Sequence, residues 1–598
     1  MRHRRLSPDH EERQRQLPPE QHPGRDEAHQ SQRRQSHHLR THSRRRLNLL
    51  RQQSRQQSRP IQATIPSHPS QPLRPKPQRR KTKGLHPRPL PKRLMAVNQL
   101  KAGALLNYVT LGLNAITALL YTPYMLRMLG QSEYGIYSLA ASVISYLSML
   151  DLGLGNAVIR YTAKLRAEDK KEEQYELFGM FTKLYIMIGI LTIILGSVLF
   201  LFLDSMFGST LSEIELNRTK IIVILMIINL AFSFPLSIYG AIITAYENFV
   251  FLRIIQIARI LLNLIVMIAL LYIGYKAVAM VVVQTAFNFL TLGINYFYCK
   301  NKIEIKIKFV PINWNLFKEI TIYSFWIFLN VIMDRIYWST GQFILGATSG
   351  AIAIAVFSVA LHIEGIYITF STAISGVFLP RVTKMVTKDN NELEISNLFI
   401  KTGRIQYCIL AFILSGFIVF GQDFINVWAG KNYFDSYLIT IVFIIPLTIP
   451  LIQNLGITIL QARNQLKFRS ILYVSIAFVS LFFQIPIAKF FGSLGCALVI
   501  SVALIIGHVF IMNIYYHKYQ GINIKQFWIE ISKMSIVPFC FIVLGLFFIK
   551  YFPITSLSEL LLGVALYSII YIPMFWRFSM NNYERSLILS PIKSVLHR

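Results

Sequence analysis

The sequence is poor in the residues on which soluble enzymes and disulfide-bonded proteins depend. Only 15% of its 598 residues are charged and only 29 are acidic, whereas 53% are hydrophobic. Its four cysteines show no CxxC spacing, which indicates neither a disulfide framework nor a zinc site. No GxxxxGK[ST] motif is present, which excludes a P-loop nucleotide site. We therefore expect no metal and no cofactor, and a protein whose bulk is apolar.

What the chain has instead is a series of long hydrophobic runs after residue 100. A helix of about 20 apolar residues crosses the roughly 30 Å of hydrocarbon in a bilayer. The runs predict fourteen transmembrane helices, near 103–126, 134–159, 179–204, 220–245, 251–273, 277–298, 319–345, 351–380, 402–421, 437–460, 469–488, 492–514, 534–552 and 558–577. Lys and Arg concentrate in alternate loops, which predicts that both termini are cytoplasmic. The expected fold class is an all-α polytopic membrane protein of the plasma (inner) membrane.

Residues 1–94 have a different composition. They contain 24 Lys and Arg against 6 Asp and Glu, and no Phe, Trp, Tyr, Val or Cys. Such a segment cannot bury a core, so we expect a disordered basic arm. Either the arm binds anionic lipid or nucleic acid, or the translation start is assigned too far upstream and Met95 is the natural beginning. We favour the second interpretation and expect no nucleic-acid partner.

An internal repeat divides the hydrophobic part. The segment "LNAITALLYTPYMLRMLG" at 113–130 aligns with "LNVIMDRIYWSTGQFILG" at 329–346. Parallel repeats of this kind place a substrate cavity between two helix bundles that alternate in access. We therefore predict a six-helix bundle over 95–300, a second over 301–515, and two extra helices with a cytoplasmic tail over 516–598.

Polar side chains recur at helical spacing within the predicted spans. Asn107 and Asn114 lie on one stripe of the first helix, Gln256 lies in the fifth and Asn330 in the seventh. A polar stripe is costly against lipid, so these residues are candidates to line a wet cavity. The alternative is hydrogen bonding between helices, at about 0.6 kcal/mol per bond.

Three carboxylates also lie within predicted spans. Asp334 adjoins Arg335 in the seventh helix, Glu364 lies in the middle of the eighth, and Asp151 lies in the inner third of the second. Carboxylates at this depth normally face a protein interior or a water-filled cavity, where they can carry a proton or bind Na⁺. They are therefore candidate ion-coupling groups. A structural ion pair at Asp334 and a structural site at Asp151 remain alternatives.

Five arginines, some at the predicted inner mouth and two deeper in the spans, are candidates to bind an anion. The planar guanidinium fork suits phosphate oxygens. The candidates are Arg160, Arg253, Arg259, Arg335 and Arg381. The positive-inside rule alone also accounts for Arg160, Arg253 and Arg381, and Arg253 can extend to the interface.

Four segments resemble the Wzx-type polysaccharide and O-antigen flippases of the multidrug/oligosaccharidyl-lipid/polysaccharide exporter superfamily. They are "YMLRMLGQSEYGIYSLAASVISYLSMLDLGLGNAVIRYTAK", "ITAYENFVFLR", "IMDRIYWSTGQFILG" and "ISGVFLPRVTKMV". The resemblance covers residues 95–515 well and the last two helices loosely. It does not extend to residues 1–94.

The resemblance implies a transporter rather than an enzyme. Such proteins move an undecaprenyl-pyrophosphate-linked oligosaccharide to the outer leaflet, for capsule, O-antigen or exopolysaccharide assembly, with energy from an H⁺ or Na⁺ gradient. Membrane lipid, a polysaccharide polymerase and a chain-length regulator are the further partners it suggests. A cation-coupled multidrug exporter of the same superfamily, a lipid II flippase and a polymerase-type membrane enzyme stay open as alternatives.

Overall fold

The computed structural model shows an all-helical chain, with no strand among the residues that it describes. Those residues are 99–311, 314–375, 382, 384–386, 391–463, 465–587 and 589. The predicted basic arm, 1–94, lies outside them. The helices belong to one compact unit, Arg93–Arg598.

The first half of the unit contains six helices and a short 3₁₀ turn. Their bounds are α1 Gln99–Leu147, the 3₁₀ turn Ser148–Asp151, α2 Leu154–Ala167, α3 Lys171–Phe207, α4 Glu213–Ala245, α5 Phe249–Ile273 and α6 Ala277–Tyr298. We call this set the N-bundle.

The second half continues with eight helices and ends with two more. Their bounds are α7 Trp314–Trp338, α8 Thr340–Thr348, α9 Gly350–Ser375, α10 Glu392–Trp428, α11 Ser436–Ile452, α12 Leu455–Ala462, α13 Leu466–Leu504, a π-helical turn Ile505–Ile511, α14 Met512–Tyr519, α15 Ile524–Tyr551 and α16 Leu557–Phe578. We call α7–α14 the C-bundle.

Two glycines fold long helices back on themselves. Inside α1, Gly130 has φ 79° and ψ 170°, and inside α13, Gly492 has φ 54° and ψ −136°. The apolar stretch Ala102–Ala167 has 66 residues, which would extend about 100 Å as a straight helix. That is over three times the hydrocarbon thickness, so the chain must reverse, and only glycine adopts these angles without strain.

The membrane character predicted from the sequence is confirmed. Among the described residues, ten helices are long and apolar enough to cross a membrane, or eleven if the bent pair α11 and α12 is one span. If α1 and α13 are each divided at their glycine, and α7 with α8 is counted as one further span, the total agrees with the fourteen predicted spans. The number fourteen, the cytoplasmic termini and the domain boundaries stay predictions.

Polar caps fix where several helices start. Ser212 and Glu215 form a capping box at the start of α4, and Ser556 and Glu559 form one at the start of α16. Each serine accepts a backbone N–H that has no partner inside the helix, while the glutamate returns to the cap residue. These caps lie in connecting segments, so they also mark where the chain leaves the apolar layer.

The two bundles are joined at the end that the loop charges predict to face outward. Trp428 at the end of α10 donates from Nε1 to the Leu119 carbonyl of α1 at 2.7 Å. Gly135 of α1 lies against the Ala351 carbonyl of α9, where any Cβ would collide with that oxygen. One hydrophobic core runs continuously through both bundles here, including Leu139 of α1 and Phe357 of α9. A second core lies around α2, α3, α4 and the first turns of α7.

The structure also shows two breaks near predicted site residues. The helix predicted through Asp334 is interrupted at Ser339, between α7 and α8. The glycine-rich segment after Asp151 breaks its helix, because Leu152 (φ 52°) and Gly153 (φ 72°) are both left-handed. The second break separates α1 from α2 and shapes the cavities described next.

Candidate functional site

A polar cavity runs through the N-bundle between α1, α4, α5 and α6. It consists of two adjoining spaces of about 470 and 440 Å³ that share Arg259. We call them together the N-bundle cavity. Its polar lining residues are Tyr137, Ser145, Ser148, Asn229, Ser233, Thr244, Arg253, Gln256, Arg259, Asn263, Gln284, Thr285, Asn288, Thr291 and Asn295. This many polar groups at membrane depth indicates a wet interior.

Two arginines of α5 supply the charge of this cavity. Arg253 Nη1 donates to Gln256 Oε1 at 2.7 Å, and Arg259 Nη1 donates to Asn288 Oδ1 at 3.4 Å. Both guanidinium groups are half-buried, and neither forms an ion pair within the described part of the chain. Six residues separate them, about 9 Å along the helix. The cavity therefore holds two positive charges without a counter-charge among its described lining residues.

An amide network orients Asn288 toward Arg259. Asn288 Nδ2 donates to Asn229 Oδ1 at 2.7 Å and to Ser233 Oγ at 2.6 Å, both on α4. With its two N–H groups engaged on α4, the Asn288 amide presents its oxygen to the guanidinium of α5. The 3.4 Å contact is long, so most of the donors of Arg259 stay available to a ligand.

Other polar atoms of the lining have no partner among the described residues. The Oδ1 atoms of Asn263 and Asn295 and the Oγ1 atom of Thr285 are buried without a hydrogen bond. At the other end of the cavity, the Tyr137 hydroxyl and the Gln284 amide bond to each other at 2.9 Å. A buried unpaired polar atom costs about 1–3 kcal/mol, so these groups favour a hydroxyl-rich ligand or water.

Three of the predicted residues, Arg253, Gln256 and Arg259, are brought together in this cavity. Arg160 is exposed on α2, with its guanidinium 5.9 Å from the centre of the Tyr161 ring, and it does not line the cavity. Asn107 is half-buried and Asn114 is exposed, both on the first segment of α1 and outside the cavity lining.

Two predicted residues cannot be placed. Arg381 and the side chain of Asn330 lie outside the described residues. Their assigned roles stay predictions, as do those of the other candidate residues.

The three predicted carboxylates are dispersed. Glu364 of α9 is only 4% exposed, and its Oε1 atom has no hydrogen-bond partner in the described structure. Asp334 of α7 has an accessible side chain, and it interacts electrostatically with Arg335 and with Arg469 of α13. Asp151 is half-buried in the 3₁₀ turn Ser148–Asp151. None of them is among the described lining residues of the N-bundle cavity.

Arg335 differs from the arginines of α5. Its side chain is half-buried on α7, next to Asp334, and its Nε atom is buried without a partner in the described residues. It lies in the C-bundle and outside the N-bundle cavity. Its predicted contact with an anionic substrate would therefore take place at another position along the path.

The C-bundle holds a polar cluster of Arg469, Tyr473 and His508, of which the sequence indicated Arg469 alone, as a further arginine at the predicted inner mouth. Tyr473 hydrogen-bonds through its hydroxyl to His508 Nδ1 at 2.7 Å, and the Arg469 guanidinium lies 4.6 Å from the centre of the Tyr473 ring. His508 lies in the π-helical turn, and such turns occur often at functional sites. The sequence signal was present, because Arg469 and Tyr473 are four residues apart and share one helix face.

The polar face of α6 was missed as well. Its residues Gln284, Asn288, Thr291 and Asn295 are spaced by four, three and four, which is the spacing of one helix face. The same test that selected Asn107 and Asn114 would have found them. Within the described ranges, no group of three His, Cys, Asp or Glu side chains is placed to hold a metal ion.

Comparison with known proteins gives consistent matches. Residues 100–386 match the family described as "Polysaccharide biosynthesis protein". A protein of Shigella flexneri named as an O-antigen transporter is 22% identical over 413 residues, which cover 67% of this chain and 94% of that protein.

Solved structures share the fold. The lipid II flippase MurJ in an inward closed conformation matches with a TM-score of 0.60 at 16% identity, over 79% of this chain and 98% of its own. The MATE transporter VcmN of Vibrio cholerae matches with a TM-score of 0.50 at 15% identity, over 71% of this chain and 98% of its own. At these identities the similarity shows the fold alone.

Proposed function

We propose that this chain is a Wzx-type flippase of the multidrug/oligosaccharidyl-lipid/polysaccharide exporter superfamily and that it translocates an undecaprenyl-pyrophosphate-linked oligosaccharide across the plasma membrane. The product would serve capsule, O-antigen or exopolysaccharide assembly. The observation that carries the proposal is the N-bundle cavity, which combines two guanidinium groups that form no ion pair among the described residues with a lining of amides and hydroxyls.

The arginines of α5 would bind the pyrophosphate. An arginine fork binds two phosphate oxygens at once, and charge-assisted bonds of this kind are about twice as strong as neutral ones. Arg253 lies one turn from the start of α5, and Arg259 lies deeper. A pyrophosphate entering at the predicted inner mouth would therefore meet Arg253 first and then Arg259.

The remaining lining would bind sugar hydroxyls. Amide and hydroxyl groups of Asn263, Thr285 and Asn295 have unused hydrogen-bonding capacity. Neutral polar groups can hydrogen-bond to many sugar hydroxyls without the free-energy cost of burying a further charge. This combination of cationic and neutral polar groups suits a sugar joined to an anionic phosphate.

Ion coupling would act through a carboxylate outside the cavity. Glu364 is the strongest candidate, since it is buried and has no cationic partner in the described residues. A buried carboxylate without a counter-charge is too costly to stay ionised alone, so it binds H⁺ or Na⁺ until water or a cation reaches it. Binding and release of that ion would then follow the opening of the bundles.

The multidrug-exporter alternative requires a cavity that attracts organic cations. The described lining of the N-bundle cavity contains two arginines and no carboxylate. Its charge therefore repels a cation and attracts an anion. This favours the flippase over the exporter.

A gene deletion with analysis of lipid-linked intermediates tests the proposal. We expect loss of surface polymer and accumulation of the lipid-linked oligosaccharide on the inner leaflet, both reversed by the wild-type gene and not by Arg259→Gln. Normal polymer together with new sensitivity to cationic drugs would refute the flippase and support the exporter.

A further inference from the structure

A second cavity, of different chemistry, lies between α3 and α7. It measures about 500 Å³, and its walls include Leu152, Leu184, Met187, Leu191, Phe317 and Phe328. We call it the α3/α7 cavity. It is large enough for a substantial apolar ligand, since ligand pockets commonly measure about 300–1,000 Å³.

The described walls of the α3/α7 cavity are almost entirely apolar. Thr321 is the one polar residue of the described lining, and its hydroxyl donates to the Phe317 carbonyl of its own helix at 2.8 Å. A water molecule needs two to four polar partners, so a cavity of this kind takes an apolar ligand. Its rim includes Met187, which is 59% exposed, and Phe325, which is 48% exposed. The rim therefore opens where α3 presents its apolar face to the bilayer.

The α3/α7 cavity is adjacent in the chain to the N-bundle cavity. Ser145 and Ser148 line the N-bundle cavity, whereas Leu152 and Leu154 line the α3/α7 cavity. The change from polar to apolar lining coincides with the helix break at Leu152 and Gly153. One broken helix thus contributes a wall to each cavity.

We propose that the α3/α7 cavity holds the isoprenoid segment next to the pyrophosphate of the carrier lipid. This inference rests on the proposed function and assigns the place of the tail. The rest of the polyprenyl chain would leave through the rim near Met187 into the hydrocarbon. The branched, unsaturated chain would contact Phe317 and Phe328 on one side and Leu184 and Leu191 on the other.

Two lysines adjoin lining residues of the α3/α7 cavity in the chain, and the one neighbouring carboxylate on α7, Glu319, accepts a hydrogen bond from the Tyr161 hydroxyl at 2.9 Å. Lys183 directly precedes Leu184 on α3, and Lys318 directly follows Phe317 on α7. Lys183 Nζ donates to the Val310 carbonyl at 2.8 Å, which holds the ammonium close to the start of α7. Both cations lie on the side that the loop charges predict to be cytoplasmic, where the carrier lipid is loaded. A lipid with an anionic head and an apolar tail would thus meet cations first and the α3/α7 cavity next.

Photocrosslinking locates the tail. The purified full-length protein in nanodiscs would be labelled with a polyprenyl pyrophosphate that carries a benzophenone in its first isoprene units, and labelled peptides would be identified by mass spectrometry. We expect label within 184–191 and 317–328, displaced by unlabelled polyprenyl pyrophosphate and not by dioleoylphosphatidylglycerol. Label spread evenly over lipid-facing helices, or equal displacement by the phospholipid, would overturn the inference.

A pair of tryptophan variants supplies the matched control. Leu191→Trp fills the α3/α7 cavity, whereas Ile194→Trp adds the same bulk to a residue of α3 that is 54% exposed and does not line it. We expect Leu191→Trp to reduce site-specific labelling and surface polymer at least tenfold, and Ile194→Trp to change neither. Met187→Trp replaces Leu191→Trp if the latter does not fold. Equal labelling in the filled and control variants would overturn the inference.

The two proposals fail separately. If the deletion strain accumulates lipid-linked oligosaccharide but the label does not map to α3 and α7, the tail inference is wrong and the flippase function stands. If the deletion strain makes normal polymer, the function is wrong, and the tail inference falls with it.

Discussion

Arg259→Gln is the substitution that most directly probes the cationic cavity. Among the described residues, Arg259 donates one long hydrogen bond, to Asn288 at 3.4 Å, so its removal should cost the fold little. In the bound state it would supply a charge-assisted bond to pyrophosphate, worth about 1.5–3 kcal/mol. Since 1.4 kcal/mol is tenfold, affinity for polyprenyl pyrophosphate should fall about 10- to 150-fold.

The assay compares binding and stability in the same preparations. Binding of a short-chain polyprenyl pyrophosphate to purified protein would be measured by calorimetry, together with the thermal unfolding temperature. Arg259→Lys keeps the charge but loses the planar fork, so we expect an intermediate affinity. Arg577→Gln is the matched control, because Arg577 is exposed at the end of α16, away from the cavity. Wild-type affinity in Arg259→Gln would refute the assignment of the cavity as a pyrophosphate site.

Four further substitutions test other parts of the account. Glu364→Gln removes the titratable carboxyl without adding a charge, so membrane levels should stay normal while transport in vesicles loses its response to an imposed ion gradient. Asp334→Asn should lower polymer output at unchanged protein level, and unchanged output would remove Asp334 from the coupling machinery. Arg404→Ala breaks a buried pair with Glu584 (2.5 Å) and should cost about 3–5 kcal/mol, seen as earlier thermal unfolding in detergent. Trp428→Phe removes the hydrogen bond to the Leu119 carbonyl, which is worth about 1 kcal/mol. The bundles should then separate at this end about five times as often, which is measured as increased chemical labelling of a cysteine placed at the outer end of α10.

The helical membrane fold could be predicted because its signal is local. Each span is a run of apolar residues whose required length follows from the bilayer thickness. The resemblance to the Wzx-type flippases, read from segments such as 124–164, is confirmed by the family match over residues 100–386. The positions at which the chain reverses were harder to predict, because Gly130 and Gly492 are only two of 31 glycines and composition does not distinguish them from the others.

The site was predicted in part, for a physical reason. Gln256, Arg259 and Asn263 follow each other at spacings of three and four, so spacing alone groups them on one helix face. Their partner Asn288 lies on another helix, and its contact with Asn229 joins residues 59 positions apart. Helix packing decides such contacts, and the spacing within one helix carries no information about it. The same limit explains why Asn107 and Asn114, with equally good spacing, lie outside the N-bundle cavity.

The α3/α7 cavity was beyond prediction from the sequence. Apart from Thr321, its described walls consist of Leu, Ile, Met and Phe, the residue types that also make ordinary lipid-facing surface. A concave wall and a convex one have the same composition, and only the tertiary arrangement of the helices distinguishes them. The glycine-rich segment around Leu152 and Gly153 indicated a possible helix break near this cavity. It did not indicate that the break separates a polar lining from an apolar one.

Reconstituted transport is the most direct test of the central claim. Purified protein would be placed in liposomes with a fluorescent polyprenyl-pyrophosphate oligosaccharide in the inner leaflet, and its appearance outside would be followed with a membrane-impermeant quencher under an imposed proton or sodium gradient. The account predicts movement to the outer leaflet that requires the wild-type protein and is lost in Arg259→Gln. Movement at the rate of protein-free liposomes, or equal rates with wild type and Arg259→Gln, would contradict it.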